Sequence, residues 1–507
     1  MISRVLGLIR DVVFARVIGA DNFADAFFIA FKIPNFLRRL FAEGAFSQAF
    51  VPVLAEYREK GGTAAVRELT DRVAGALGSV LILLTVLAVT GAPVLSAIFA
   101  PGFLDNPDKF EAVSNMIRVT FPYLLFVSLT GLAGAILNSF DRFAVPAFTP
   151  VWLNVCLIGA ALVATPWFAE PVYALAWGVL AAGIIQLLFQ LPFLAAIHQL
   201  PRPRLDWGHS GVRQILALMA PAIFGVSVSQ INLLLDTVIA SFLPTGSVSW
   251  LYYSDRLAEL PLGVFGVAAA TVILPGLSRQ HAENSSTDFS ATLNWALRFV
   301  LVIGIPAGVA LIIIAEPLLA ALFYDGVDFS SRDVAMSAWS LRAYALGVTA
   351  FMLIKVLAPG YYGRQDMKTP VRIGIIAMAS NMVLNVVFVL PLHHYFTLGH
   401  SGLALATSVA ALLNAGLLYR GLRVRKVYIP DQRWRSLLGS LILSSTVMAF
   451  VLLVGMDYMT KSTDFGGLDN LWLILGLCFS GLAIYITMLL LCGLRLRDFR
   501  QSSHGRN

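Results

Sequence analysis

The sequence predicts an all-α polytopic membrane protein, and three observations carry that expectation. Of 507 residues, 58% are hydrophobic and only 13% charged, about half the charged share of an ordinary soluble chain. Apolar runs of about 20 residues, enough to cross a hydrocarbon core as helices, recur from end to end, and the alternating strands of a β-barrel are not visible. Lys and Arg gather in every second loop, as they do in proteins whose cytoplasmic loops are basic.

Apolar runs read against loop signals give about fourteen spans. They fall near 1–18, 24–50, 74–100, 116–138, 147–166, 172–196, 212–242, 247–275, 293–316, 336–358, 370–390, 401–420, 436–456 and 470–492. Basic residues mark the loops after the second span (Arg58, Lys60, Arg67, Arg72), the sixth (Arg202, Arg204, Arg213), the tenth (Arg364, Lys368, Arg372) and the twelfth (Arg420 to Arg435), and the tail from Arg495. The alternate loops 242–249 and 391–402 contain no Lys or Arg. Both termini are therefore expected on the cytoplasmic side. A weak internal repeat relates Asp11 to Pro52 with Asp236 to Pro275, each opening with an Asp inside an apolar helix and closing on an apolar run into Pro. Chance likeness between apolar helices is the alternative. The repeat divides the chain into an N-terminal lobe at 1–200, a C-terminal lobe at 201–425, and 426–507 as two further spans with a tail. Two lobes rocking about a central cavity is a common transporter plan.

Several function classes fall away. The net charge of +7 follows the positive-inside pattern, so no nucleic-acid partner is expected. Cys156, Cys478 and Cys492 lie in apolar runs and read as small buried hydrophobes. No cofactor is expected. His393, His394 and His400 share one loop, lack the spacing of a HExxH zinc site, and read as solvent-exposed. No loop is long enough for a catalytic domain, so an enzyme is not expected. No cleavable signal peptide is evident. The chain begins almost inside its first apolar run, which reads as a truncated or mis-started N-terminus.

What remains is charge at membrane depth. The first span carries Arg4, Arg10 and Asp11. The second carries Asp25, Lys32, Arg38, Arg39 and Glu43, with Pro34 in its middle. Each central charge costs roughly 2.5–3.5 kcal/mol on insertion scales. The arginines outnumber the acids, so the missing partner is expected to be an anion from outside. Guanidinium suits phosphate, because its planar fork donates in pairs and keeps its proton when buried. Arg4 and Arg10 stand about 9 Å apart in rise and about 120° apart in direction on an ideal helix, so they converge only by reaching round or by a bend near Gly7. Snorkelling of Arg4 to the interface is the alternative. Arg39 and Glu43 are an i, i+4 pair, leaving Arg38 with the least local compensation. Asp255, Arg256 and Glu259 cluster on one face before Pro261, as a cavity-closing group or as an ion-pair network that holds the helix. Asp236, Asn381, Asn385 and Thr407 offer hard oxygen ligands for a coupling Na⁺, with interhelical hydrogen bonding as the alternative.

Three phrases bear a specific resemblance: FKIPNFLRRLFAEGAFSQAFVPVLAEY at 31–57, VSWLYYSDRLAELPLGVFGVA at 248–268 and KVLAPGYYGRQDMKTPV at 355–371. They, and the stretch 3–57 as a whole, closely resemble the MurJ (MviN) family of lipid II flippases. That family sits within the multidrug/oligosaccharidyl-lipid/polysaccharide exporter superfamily. The resemblance runs through nearly the whole chain, apart from a short N-terminal segment that family members usually have. It implies two six-helix lobes in a V shape, two extra C-terminal helices and alternating access. By resemblance Arg4, Arg10 and Arg38 match cavity arginines that hold the substrate's pyrophosphate. Asp255, Arg256 and Glu259 match functionally important positions of the second lobe, where the cluster would close the cavity or, through Arg256, contact the substrate's sugar-peptide headgroup. Asp25 matches an outer-gate position, with an ordinary interfacial acid as the alternative, and Arg39 and Glu43 line the same cavity. The last two spans would form a groove for a polyprenyl tail, or serve as a packing pair. The implied function is movement of lipid II between leaflets of the bacterial inner membrane, with lipid II, membrane lipids and the cell-wall synthesis machinery as partners. An exporter of another lipid-linked oligosaccharide, a membrane enzyme acting on polyprenyl-phosphate sugars, and a scaffold of the wall machinery are the rival readings.

Overall fold

The computed structural model describes residues 2–39, 46–283, 285–431, 434–462 and 471–494, with side chains left aside at 220, 224–229 and 459–462. Among the described residues the regular structure is helical throughout. In chain order the helices are α1 (Ile2–Ile18), α2 (Asn22–Leu37), α3 (Ser47–Thr90), α4 (Ala92–Phe99), α5 (Pro107–Thr120) and α6 (Tyr123–Ser139). They continue with α7 (Ala144–Phe148), α8 (Pro150–Gly159), α9 (Pro171–Ala196), α10 (Ser210–Ser241), α11 (Ser247–Pro261) and α12 (Val267–Ala282). The last are α13 (Ser286–Phe323), α14 (Ser331–Tyr362), α15 (Lys368–Phe396), α16 (Gly399–Val424), α17 (Trp434–Ser462) and α18 (Leu471–Leu491). Among the described residues, 11 helical stretches are long and apolar enough to cross a membrane. At the other three expected places stand α1 and α2, helices of only 17 and 16 residues, and α10. Contacts divide the chain into two compact units, Met1–Ser249 and Trp250–Asn507.

The first unit contains α1 to α10. The turn between α1 and α2 is made by Gly19 at φ 55° and by Asp21, whose side chain accepts from the Ala24 amide at 2.7 Å and caps α2. Pro34 has no N–H for the Ala30 carbonyl one turn back. Thr120 of α5 supplies the donor instead, its hydroxyl reaching Ala30 O at 3.3 Å. A break in the ladder at lipid depth is thus satisfied inside the protein, as it must be where water is absent.

Two expectations about spans are corrected here. The polar stretch expected as a loop between the second and third spans is helical, because α3 runs from Ser47 to Thr90 with its only non-helical residue at Gly62, φ 64°. Its charges stand at i, i+4 and pair: Lys60 with Glu56 at 2.6 Å, and Arg72 with Glu68. Such pairs support the solvent side of the helix, while Val66 and Leu69 are buried on its other side. The fourth expected span is preceded by α5 and divides at Phe121-Pro122, where proline again removes a donor. A core of Phe46, Phe50, Leu54, Leu69, Leu132, Ile136 and Leu194 joins α3, α6 and α9. The α9–α10 link is strapped onto α3: the Arg202 amide donates to Asp71 Oδ1 at 2.6 Å, and Arg72 pairs with Asp206 at 2.9 Å.

The second unit packs by small residues. A Cβ on Gly347 of α14 would lie 2.8 Å from the Ser408 Cα of α16, so glycine is what lets the two backbones approach. Ser408 Oγ then donates to Ala343 O at 2.7 Å. The start of α14 carries a capping box between Ser330 and Asp333. The last two helices lie against α13 through Ile314, Ala321, Leu441, Leu452 and Leu477, and Tyr485 donates to Val302 O at 2.7 Å. Their outward faces stay apolar, with Phe450 67% and Phe479 68% exposed, as lipid-facing surfaces should be.

Candidate functional site

The charged residues of the candidate site in the first unit stand on α1, α2 and α5 and are met from α8, α10 and the first turn of α11. In α1, Ser3 and Arg10 stand seven residues apart, about two turns, and so share one face. Both meet Asn154 of α8. Its Oδ1 accepts from Arg10 Nη1 at 3.1 Å and its Nδ2 donates to Ser3 O at 3.0 Å. Arg10 is buried, and its Nε and Nη2 donate to Asp11 Oδ1 at 3.0 and 2.7 Å. Its guanidinium also lies 5.5 Å from the Phe14 ring centre. This corrects the expectation that Arg10 waits without an acidic neighbour. Adjacent helical residues do not face each other, so the spacing concealed the pair. A long arginine can bend sideways, and burial leaves neither partner the option of water. α1 is helical from Ile2 to Ile18, Gly7 included. Arg4 is exposed and makes no hydrogen bond or ion pair among the described residues.

In α2, Lys32 donates to Thr237 Oγ1 of α10 at 3.2 Å. Arg38 is half-buried and its Nε donates to Asn35 Oδ1 at 3.4 Å, while Asn35 Nδ2 donates to Phe31 O at 2.9 Å. Arg38 and Arg39 lie in a π turn that follows the helix, with Arg39 exposed. Glu43 lies outside the described residues, and with it the expected pairing to Arg39.

Asp25 is buried at 1% exposure. Its Oδ2 accepts the Gly246 amide at 2.8 Å, and its Oδ1 accepts the Ser249 amide at 3.0 Å and the Ser249 hydroxyl at 2.7 Å. A carboxylate so placed caps the first turn of α11, where backbone N–H groups have no helical partner. Lys109 of α5 lies 3.6 Å from Asp25 Oδ2 and donates to Thr245 Oγ1 at 3.0 Å, and Thr245 in turn donates to Asn22 Oδ1 at 2.8 Å. The segment 245–249 is thereby latched to the start of α2.

In the second unit the predicted residues are less enclosed. Asp255 and Arg256 are half-buried and Glu259 exposed. Arg256 Nη1 donates to Glu259 Oε2 at 3.3 Å, and its guanidinium lies 5.0 Å from the Tyr252 ring centre. Asn381 and Asn385 are buried and form a ladder. Asn385 Nδ2 donates to Asn381 Oδ1 at 3.1 Å, and Asn381 Nδ2 donates to Thr407 Oγ1 at 3.3 Å. Asp236, the fourth residue of that expected set, is half-buried and belongs to the first unit. Among the described residues no three His, Cys, Asp or Glu side chains are grouped to hold a metal.

Sequence reasoning missed Asn154, Lys109 and Ser249, which are ordinary residues until the fold brings them to a charge. It misjudged His400, which is 0% exposed. Its Nε2 lies 3.0 Å from Met336 O and its ring 4.8 Å from that of Trp250, which donates to Asp333 Oδ1 at 2.8 Å. A residue expected in a loop stands in the first turn of α16 and packs in the core of its unit. In the α14–α15 link, hydrogen bonds from Thr369, then the ion pair with Arg425, hold the Asp366 carboxyl at about 2. Burial pushes the Tyr428 phenol, between α16 and α17, well above its ordinary range.

Charge buried within a bundle of membrane-crossing helices, in a chain built from two compact helical units, defines a multi-span transporter rather than an enzyme. The comparisons make the class specific. Residues 14–468 match the family described as "Lipid II flippase MurJ", and the chain belongs to that family. The "Probable lipid II flippase MurJ" of Vibrio cholerae serotype O1 is 49% identical over 510 residues, spanning 99% of this chain and 96% of its own. The "Lipid II flippase MurJ" of Burkholderia cenocepacia is 41% identical, spanning 99% and 97%. A solved structure titled "Lipid II flippase MurJ, inward closed conformation" superposes with a TM-score of 0.79 at 29% identity, covering 97% of this chain and 96% of that one.

Proposed function

We propose that this chain moves lipid II, a disaccharide-pentapeptide on undecaprenyl pyrophosphate, from the inner to the outer leaflet of the bacterial inner membrane by alternating access, and so feeds peptidoglycan synthesis. The observation that carries the reading is family membership along the whole chain, with the charged α1–α2 pair inside the matched length. Such a headgroup cannot cross hydrocarbon unaided, because its polar groups would lose water without replacement. Arginines lining a wet cavity would offer its diphosphate charge-assisted, paired hydrogen bonds. The donors proposed are Arg10, which Asn154 and Asp11 hold in place, and Arg38, which donates to Asn35. Arg4, exposed, is the third arginine proposed for the diphosphate, and Arg256, half-buried, is proposed for the rest of the headgroup. The basic loops support a cytoplasmic side for both termini.

Direction follows from charge. With the cell interior negative, an anion moving outward gains about 2.3 kcal/mol per charge per 100 mV, and an empty cationic cavity is drawn inward. Inward Na⁺ at Asp236 or on the Asn381–Asn385–Thr407 ladder is the further coupling we propose. The apolar faces of α17 and α18 suit a long polyprenyl tail, which stays out of a polar chamber. Surrounding lipids and the wall-synthesis machinery are the expected neighbours.

The test is complementation of a flippase-depleted strain together with lipid II binding to purified protein. Arg10→Ala and Arg38→Ala should abolish growth at unchanged membrane level, and Arg38→Ala should lose binding. Full growth of either variant would overturn the assignment, and binding of other lipid-linked oligosaccharides with equal strength would overturn the substrate.

A further inference from the structure

Among the described residues of the first unit Lys109 is the most buried cation, at 5% exposure against 8% for Arg10. It stands on α5, away from the charged helices that sequence reasoning singled out. Four observations converge on it. Its Nζ is 3.6 Å from Asp25 Oδ2 and 3.0 Å from Thr245 Oγ1, and it lies 4.6 Å from the Phe103 ring centre. Asn106 caps α5 by accepting the Lys109 amide at 3.2 Å, which sets the residue's position in the first turn. The segment facing it, 242–249, contains no charged residue. The other charge bearing on this place is Asp21, exposed in the α1–α2 turn.

We propose that Lys109 is the positioning residue that keeps the 245–249 latch shut: its ammonium neutralises the buried Asp25 carboxylate, so that Asp25 can hold the Gly246 and Ser249 amides. The physical reason is that a buried carboxylate without a counter-charge is costly even when well hydrogen-bonded, and removing one partner of a buried pair strands the other. Lys109 also holds the segment directly, through Thr245. This rests on the proposed alternating access, with Asp25 at an outer gate that must release 245–249 in each cycle, and names the residue that sets its balance.

The experiment reads latch opening without lipid II. Ser247 is 0% exposed and its hydroxyl has no hydrogen-bond partner, so Ser247→Cys is a near-isosteric reporter. It is placed in protein lacking Cys156, Cys478 and Cys492, and its modification by a water-soluble maleimide at pH 7.5 is compared with the denatured protein's. In the parent, labelling should be slow. With Lys109→Met it should be faster by on the order of a hundredfold, as loss of one buried partner implies. Asp25→Asn with Lys109→Met should be slow again, because a neutral amide needs no cation, and Lys109→Arg should stay near the parent.

Lys109→Met labelling as slowly as the parent would overturn the proposal. So would a double variant that labels as fast as Lys109→Met, or misfolding of both, because Lys109 would then serve packing alone. Misfolding of Lys109→Met rescued by Asp25→Asn supports the pairing. A parent whose reporter stays closed in turnover with lipid II would instead sink the reading that this latch opens.

Discussion

The two units bury polarity in different ways. Among the described residues, every buried Asp, Lys and Arg lies in the first unit: Arg10, Asp11, Asp25, Asp71 and Lys109. The buried polar side chains of the second are serines and asparagines, with His400 and the phenols of Tyr253, Tyr361, Tyr428 and Tyr485 beside them. Ionic groups removed from water demand a partner at short range, and removing that partner is severe. Neutral amides and hydroxyls exchange hydrogen bonds at modest gain. The first unit therefore holds elements whose stability depends on who accompanies a charge, which is what a charged guest or a moving segment can alter. The second resembles a scaffold knitted by weak, redundant bonds, with its charges at Arg256 and Glu259 left partly in solvent.

The largest effect that could break this comparison comes from Asp11. Asp11→Ala should strand Arg10 and lower stability by about 3–5 kcal/mol, read as loss of melting temperature in detergent. Arg10→Met with Asp11→Leu should recover most of it while transport stays lost. If Asp11→Ala melts like the parent, the pair is not what stabilises α1 against α8. The counterpart in the second unit is Asn381→Ala, which should cost about 0.6–2 kcal/mol. Transport in the variant should be compared with and without Na⁺: a selective loss of Na⁺ response would turn a structural ladder into a coupling site.

The smallest expected effect lies outside the spans. Asp366 sits at about 2 against an ordinary 3.8. The folded value is the lower one, so its contribution is present above the ordinary value and fades as pH falls toward about 2. Asp366→Asn should leave melting unchanged from pH 5 to pH 3 more nearly than the parent, whose melting should drop at the acid end. Identical profiles would mean that the link contributes nothing to folding.

Much of this was legible in advance. Hydropathy and basic loops predict helices at almost every place where they occur, because a spanning chain must satisfy its backbone locally and show its apolar faces to lipid. The charges of α1 and α2 stand out for the same reason, as exceptions to a simple rule. Three things were not legible. The polar half of α3 is helical through i, i+4 pairs that hydropathy cannot register. Arg10 bends onto its immediate neighbour, where helical geometry gives no reason to look.

His400 reads as a loop residue because its neighbours are polar, yet Trp250 and Met336, over sixty residues distant in either case, enclose it. What the order of residues dictated was therefore the class of protein, the places of its spans and the presence of charges in need of company. Which company they keep (Asn154 for Arg10, Lys109 and the Ser249 amide for Asp25) came from packing, because such partners are chosen by distances across helices and a linear pattern carries no such distances.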